Sequence, residues 1–441
     1  MAGIYKAYDI RGIYGTELTD EIAFKIGRAV ATFLKPKKFV IGYDMRPHST
    51  PLFEAMAKGL TLQGVDVINI GLASTPMSYH ANGKLGADGS AIITASHNPG
   101  EWNGMKICRE LAIPISGATG IADIERIVNE ESFDAPAATP GAVTEYDIKP
   151  EYFEHVRSFA QISKPLNVLI DYANGMGISE GGAFTEAMFN ITPMYDEFDG
   201  TFPNHEANPL DLETLEDISA KLKEGSYDFG IAFDGDADRA GFLDENGENV
   251  SMDMITALIA QSMLEKFPGS NIFYDLRSSW AVKEVIEEAG GTALMSRVGH
   301  AFIKAQMREA DAVFAGELSG HYYFRDNYYT ESSSMAAICV ANLISETGKT
   351  LSELIRPIKR YFASGEINSK VADVPAVFTR LDEQYGDAKP FELDGKTYEY
   401  ADWWFNVRCS NTEPLVRLNL EAKTPEQMVE KRDKVLALIR T

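Results

Sequence analysis

The chain has 441 residues, 45% hydrophobic and 24% charged, an ordinary globular balance with length for about three or four domains. Its formal net charge of −24 excludes the basic footprint of a nucleic-acid-binding protein, so any anionic ligand must be met by a local concentration of cations. No apolar run approaches the roughly 18 residues of a membrane span, and Met1-Ala-Gly-Ile-Tyr-Lys carries no apolar signal core. A cytoplasmic enzyme without membrane or nucleic-acid partners is the expectation. Cys108, Cys339 and Cys409 are scattered and odd in number, with neither disulfide nor zinc spacing.

In chain order the pattern is strand, loop, helix, repeated. Phe39-Val-Ile-Gly-Tyr reads as a strand and residues 51–62 as a helix; Asp66-Val-Ile-Asn-Ile and Ser90-Ala-Ile-Ile-Thr are further strands. An Ala/Pro-rich stretch, Ala135-Pro-Ala-Ala-Thr-Pro-Gly, marks a first boundary near residue 148. A second round holds the strands Asn167-Val-Leu-Ile-Asp and Asp228-Phe-Gly-Ile-Ala-Phe. A third holds Asn271-Ile-Phe-Tyr-Asp, a helix over 281–289, Ala293-Leu-Met-Ser, a helix over 301–308 and Ala312-Val-Phe-Ala. After residue 366, Trp403-Trp-Phe-Asn-Val-Arg and Leu415-Val-Arg-Leu-Asn-Leu read as paired strands. A last helix opens at Thr424-Pro-Glu-Gln, where Thr424 caps and Gln427 completes a capping box. The fold class is α/β: three related mixed-sheet α/β domains (1–148, 149–251, 252–366) plus a smaller C-terminal α+β domain (367–441).

Chemistry-bearing residues fall just after strands, where open α/β sheets place ligands. Thr94-Ala-Ser-His-Asn-Pro-Gly exposes the Ser96 hydroxyl and several backbone N–H groups. A Ser-His-Asp hydrolase would want a G-x-S-x-G elbow, which is absent, and His97 is awkwardly placed as a base for its own neighbour. Asp234-Gly-Asp-Ala-Asp-Arg places Asp234, Asp236 and Asp238 at alternate positions, so three carboxylates crowd together and call for a cation. With Glu245 eleven residues on, the spacing also fits a calcium EF-hand, but Arg239 stands where that loop needs glycine and both flanks read as strands. A solvated acidic turn is the bland alternative. A tight loop with few ligands suits Mg²⁺, and a nucleophilic serine beside it suits phosphoryl transfer.

Gly316-Glu-Leu-Ser-Gly-His321 offers a carboxylate, a hydroxyl and an imidazole suited to vicinal sugar hydroxyls, or a plain structural turn. Arg408-Cys-Ser-Asn-Thr-Glu-Pro lies between strands and resembles an anion nest, against a polar hairpin with an arginine at its edge. Arg11, Lys106, Arg277, His300 and Lys304 are further loop cations or titratable groups, none decisive alone. Trp102, Trp280, Trp403 and Trp404 are taken as packing residues.

These four segments in this order, with Tyr8-Asp-Ile-Arg-Gly, resemble the α-D-phosphohexomutases over essentially the whole chain. The Gly-Glu-x-Ser-Gly-His form is similar to the bacterial phosphomannomutase/phosphoglucomutase branch; phosphoglucosamine mutases usually carry Glu-Gln-Ser there. The resemblance implies four domains around a central cleft, with a mobile last domain. It implies a phosphorylated Ser96, with Asp234, Asp236 and Asp238 binding Mg²⁺ together with that phosphate. It implies that Glu317, Ser319 and His321 read sugar hydroxyls. Arg408, Ser410, Asn411, Thr412 and Arg417 would hold the non-reacting phosphate. Arg11, Lys106, Arg239, Arg277, His300 and Lys304 would surround phosphoserine and substrate, with Arg239 supporting the phosphoserine. Two positions depart from the family pattern: Thr330-Glu-Ser-Ser-Ser replaces an acidic pair followed by glycine, and Trp102 stands where tyrosine is commoner.

The implied reaction interconverts hexose 6-phosphate and hexose 1-phosphate, of mannose and also glucose, through a bisphosphorylated sugar, with hexose 1,6-bisphosphate as activator. The catalytic set is Ser96, His97, Arg11, Lys106 and His300; His300, Lys106 and Arg11 are unranked as proton acceptor. A phosphoglucosamine mutase, a metal-dependent sugar phosphatase and a non-catalytic sugar-phosphate binder are the alternatives. A monomer or small homo-oligomer is expected.

Overall fold

Two central strands, Gly89–Ile93 and Phe229–Phe233, are buried at every position, as strands covered by helices on both faces are. The computed structural model describes residues 3–409 and 415–441. It holds three mixed-sheet α/β domains and a C-terminal antiparallel-sheet domain. The first sheet has six strands, in the order Ile10–Ile13, Trp102–Arg109, Gly89–Ile93, Lys38–Tyr43, Asp66–Leu72, Val143–Glu145. The second has five, Asn249–Val250, Ala240–Leu243, Phe229–Phe233, Leu166–Asp171, Phe189–Met194, and the third five, Thr292–Ser296, Asn271–Asp275, Phe314–Gly316, Tyr322–Phe324, Thr330–Glu331.

The three sheets share one plan. A parallel core gives way to antiparallel strands on one side, at Gly89–Ile93 to Trp102–Arg109, Phe229–Phe233 to Ala240–Leu243, and Phe314–Gly316 to Tyr322–Phe324. The connections across those three switches are the serine, aspartate and Gly316-Glu segments. In the fourth sheet, antiparallel throughout, Trp403–Cys409, which carries Arg408, pairs with Leu415–Ala422.

Most expected strands and helices lie within a residue or two of their observed bounds. Three details differ. The third-domain strand runs Phe314–Gly316 instead of starting at Ala312, because the Ala312 N–H closes the preceding helix on Met307 O. The Thr424 hydroxyl does accept from Gln427 N (3.2 Å), but the Gln427 amide donates to Asp402 rather than back to Thr424, so the capping box is only half formed. The fourth sheet begins at Phe362–Lys370, so the expected division after residue 366 falls inside a strand.

The first three domains share one hydrophobic core running from Val40 to Ile358, whereas the last has its own around Tyr398, Phe405 and Leu418. Polar pins cross the shared core. Glu180, fully buried, accepts from Ser74 of the first domain, Tyr152 of its own (2.9 Å) and Ser334 of the third (2.5 Å). This gives the Thr330-Glu-Ser-Ser-Ser departure a structural role: Ser332 caps the helix Ser333–Thr347 and Ser334 docks on Glu180.

Nearby, His80 of the first domain stacks on His155 of the second, with ring centroids 4.7 Å apart, and Tyr328 of the third meets it edge-on. Neither His80 nitrogen has a hydrogen-bond partner, and burial, with His155 and Lys84 adding to it, pulls its pKa down to about 3. A folded-state pKa below the unfolded one means that only the unfolded chain gains a proton as pH falls below about 6.5. Stability is expected to drop by about 2 kcal/mol from this group alone by pH 5. Urea unfolding at pH 7 and pH 5 should show that loss reduced in His80→Leu; an equal loss in both proteins would contradict the assignment.

Candidate active site

Asp234, Asp236 and Asp238 are all buried, and they offer carboxylate oxygens within 4.8 Å of one another. The strand Phe229–Phe233 delivers them and the hairpin partner Ala240–Leu243 removes the chain, so the flanks are strands and the EF-hand alternative is excluded. Gly235 lets this loop reach the serine loop: a Cβ there would sit 2.3 Å from the Ser96 carbonyl oxygen. Across that approach the Ser96 hydroxyl donates to Asp234 Oδ2 at 3.1 Å.

Cations converge on the acidic loop. The Lys106 ammonium bridges Asp236 (2.6 Å) and Asp238. Burial pushes Lys106 down, but Asp236 and Asp238 outweigh it and hold the amine protonated. Asp234, penalised by burial and by its two neighbours, is pushed well above the usual carboxylate range. His321 lies 3.4 Å from Asp238 Oδ1 and 3.2 Å from Glu317 Oε2; these carboxylates overcome its burial and raise it to about 9.

The residues fit a hard cation. All three donors are carboxylates. Asp236 Oδ1 is buried without a hydrogen-bond partner, and a stand-in positive charge, the Lys106 ammonium, already lies among them. Asp238, His321 and Glu331 form a second grouping, but Glu331 is ion-paired to Lys304 at 2.6 Å and His321 is engaged with Asp238 and Glu317.

Ser96 is held in a left-handed conformation, φ +53, uncommon for a residue with a side chain. Its N–H bonds Thr94 Oγ1 (3.0 Å), and His97 Nδ1 lies 3.2 Å from its Oγ, closer than chain adjacency suggested. The strained loop is clamped by Arg46, a residue the sequence reading passed over. Its guanidinium is fully buried and donates to the carbonyls of Ser96 (3.0 Å), Asn98 (2.6 Å), Pro99 (2.7 Å) and Trp102 (3.1 Å), while Nε bonds Asp44 at 3.1 Å. The signal was available: Arg46 follows the strand Lys38–Tyr43 just as the other functional segments follow theirs.

These loops face a cavity of about 700 Å³ lined by all four domains. Ser96, Arg11, Lys106, Arg239, His300, His321, Arg408 and Arg417 all line it. Seven lysine and arginine side chains line it, concentrating cations in a chain of net charge −24. Tyr8, Arg297 and Asp394 also line it, the last two without any signal in the sequence reading. Trp102 lines it too, a correction to its reading as a packing residue; Trp403 and Trp404 are buried, and Trp280 donates to Glu399 at 2.9 Å.

Other expected site residues lie off the cavity wall. Lys304 is fully buried against Glu331, its ammonium 3.9 Å from the Tyr79 ring centroid, so it supports the third domain instead of reaching the cavity. Glu317 is buried as well, accepting from Gly299 N (3.0 Å) and Tyr323 (2.5 Å), and Ser319 Oγ sits 2.9 Å from His321 Nδ1. Arg277 is held by Asp275, whose Oδ2 also accepts Leu318 N at 2.7 Å and so ties that guanidinium to the Glu317 loop. Ser410, Asn411 and Thr412 lie outside the described residues.

Four family models cover the chain in order: phosphoglucomutase/phosphomannomutase alpha/beta/alpha domain I over residues 3–135, domain II over 150–247, domain III over 251–361 and the C-terminal domain over 366–438. The chain belongs to the phosphoglucomutase/phosphomannomutase family. It is 41% identical to a phosphomannomutase of Salmonella montevideo over 98% of this chain and 97% of that protein. It is 40% identical to one of Methanocaldococcus jannaschii over 99% and 97%. A crystal structure of a phosphoglucomutase/phosphomannomutase family protein from Burkholderia thailandensis superposes with a TM-score of 0.91 at 29% identity, covering 99% of this chain and 96% of that one. The chain is therefore a mutase of phosphohexoses, an enzyme of the phosphotransferase kind. No described helix is long and apolar enough to cross a membrane.

Arg46→Lys keeps the charge and loses the fork that gathers four carbonyls. With the serine loop relaxed, kcat is expected to fall about 100-fold while KM for hexose phosphate changes little. Steady-state kinetics check this, and an unchanged kcat would remove Arg46 from the machinery.

Proposed function

We propose that this enzyme interconverts hexose 6-phosphate and hexose 1-phosphate, of mannose first and glucose as well, through a phosphorylated Ser96 and a bisphosphorylated sugar. The observation that carries the reading is the Ser96 hydroxyl 3.1 Å from Asp234, a nucleophile from one domain placed on the acidic loop of the next.

In the first transfer the bond from Ser96 Oγ to phosphorus breaks as a bond forms from phosphorus to the free sugar hydroxyl oxygen. One proton moves, overall, from that hydroxyl to the Ser96 oxygen. Lys106 and Arg11 are held protonated by carboxylates, whereas burial, with Lys304 and Lys106 nearby, keeps His300 well below its ordinary pKa and neutral. His300 lines the cavity and is our candidate acceptor of the sugar proton; His97 Nδ1, 3.2 Å from Oγ and held well below its ordinary pKa by burial, would orient the Ser96 hydroxyl without supplying it a proton. The bisphosphate then turns over and gives its other phosphate back to Ser96. Asp234, Asp236, Asp238 and the serine phosphate would hold Mg²⁺, whose charge neutralises the transferring phosphoryl group when bound. Arg408 and Arg417 would take the phosphate that does not react, in either orientation of the sugar. Hexose 1,6-bisphosphate would act as activator by charging a bare serine.

Intact mass of the purified protein is expected to show one added phosphate, absent in Ser96→Ala, which should also lose turnover of mannose 1-phosphate supplied with Mg²⁺ and a trace of hexose 1,6-bisphosphate. Retained turnover in that variant, or release of free phosphate in place of mannose 6-phosphate from the unaltered enzyme, would contradict the mechanism. Asp236→Asn removes a donor from the acidic loop. The Mg²⁺ concentration for half-maximal activity should rise by about tenfold or more; an unshifted titration would move the metal elsewhere.

A further inference from the structure

The strand that carries the chain from the third sheet into the fourth, Phe362–Lys370, breaks register between Ala363 and Glu366. Gly365 adopts φ +68 there, a conformation that glycine takes without strain. Such a bulge re-aims the side chain next to it, and here that side chain is Glu366. Its carboxylate accepts a hydrogen bond from Arg408 Nη2 and lies 3.4 Å from Arg417 Nη1 and 3.8 Å from Arg277 Nη1.

The three guanidiniums have different origins. Arg277 follows the third-domain strand Asn271–Asp275. Arg408 and Arg417 are directly opposite on paired fourth-domain strands, where like charges repel. Arg277 has a carboxylate of its own in Asp275, whereas among the described residues Arg408 and Arg417 share Glu366. Burial tends to raise the Glu366 carboxyl, yet Arg408 and Arg277 outweigh it and hold it below the usual range, so it is an anion. Both Arg408 and Arg417 line the cavity. A single carboxylate thus gathers guanidiniums from two domains at the place where a phosphate is to be held.

We propose that Glu366 is an internal stand-in for substrate phosphate: it keeps Arg277, Arg408 and Arg417 assembled, and a phosphate monoester must compete with it for their donors. The proposal rests on the reading of Arg408 and Arg417 as phosphate holders. It makes Glu366 a specificity-determining residue. A competing carboxylate raises the affinity an anion needs, so singly charged anions are rejected while a dianionic phosphate on a sugar, helped by contacts elsewhere in the cavity, is accepted. It also gives the bulge a purpose, because a regular strand would aim the next residue elsewhere.

Calorimetric titration with inorganic phosphate tests this on the full-length enzyme and on Glu366→Gln, Glu366→Asp and Arg408→Ala. Glu366→Gln keeps the shape and removes the charge. It is expected to bind phosphate about tenfold more tightly, with KM for hexose phosphate lowered and kcat not raised, while Glu366→Asp stays near the parent. Equal or weaker phosphate binding by Glu366→Gln, with or without a lowered unfolding midpoint, overturns the proposal and makes Glu366 a plain structural tie. If Arg408→Ala binds phosphate as well as the parent does, the arginine set is not the phosphate site, and both the proposal and the assignment of Arg408 fall. Tighter binding in Glu366→Gln together with lost binding in Arg408→Ala supports both.

Discussion

Three carboxylates on one short loop, all removed from solvent, are the constraint around which the molecule is arranged. Left alone they would repel and take up protons. The chain answers with charge from outside the loop: Lys106 from the first domain between Asp236 and Asp238, and His321 from the third beside Asp238. A hydroxyl, Thr75, adds a 2.5 Å bond to Asp236. Arg239, at the end of the loop itself, lies 3.8 Å from Asp234, and the other compensating groups come from neighbouring domains, so assembly of the domains completes the charge balance of the acidic loop. The same convergence brings Ser96 to Asp234. Assembly of the fold and assembly of the reactive centre are one event.

Topology explains how the parts arrive together. Each of the first three sheets turns from parallel to antiparallel at one connection, and that connection carries the working residues. A connection at such a switch is short, set at the carboxyl end of a strand, and anchored on both sides by hydrogen-bonded ladders. The serine connection carries backbone strain in the φ of Ser96 and is restrained by the Arg46 guanidinium on four carbonyls. Strain at a nucleophile persists only when its surroundings over-determine it.

Much of this was legible in the sequence. Apolar runs such as Phe229–Phe233 could hardly be anything but buried strands, and alternate aspartates in a loop announce a cation. The family motifs supplied the order of the four loops. What stayed hidden follows from how sequence encodes geometry. Arg46 stands after a strand, where the sequence does point to a working residue, but its role is hidden because its fork acts on backbone carbonyls, which leave no mark in residue type at the receiving end. Lys304 looked like a loop cation because nothing local pairs it; its partner Glu331 is distant in sequence and pulls it into the interior. Trp102 reads as packing on residue type alone, and only its place at the start of the strand Trp102–Arg109, beside the serine loop, puts it on the cavity wall. Glu366 fell on an expected domain boundary, and only the bulge and the strand pairing around it show what its carboxylate gathers.

The central claim is that the esterified serine and the aspartate loop hold one divalent ion between them. Electron–nuclear double resonance on the phosphorylated enzyme loaded with Mn²⁺ addresses it directly. A hyperfine coupling to phosphorus from the Ser96 phosphate is expected, lost when that phosphate is removed and when Asp234, Asp236 and Asp238 are replaced together by asparagine. A fully loaded, phosphorylated enzyme with no such coupling would contradict the claim.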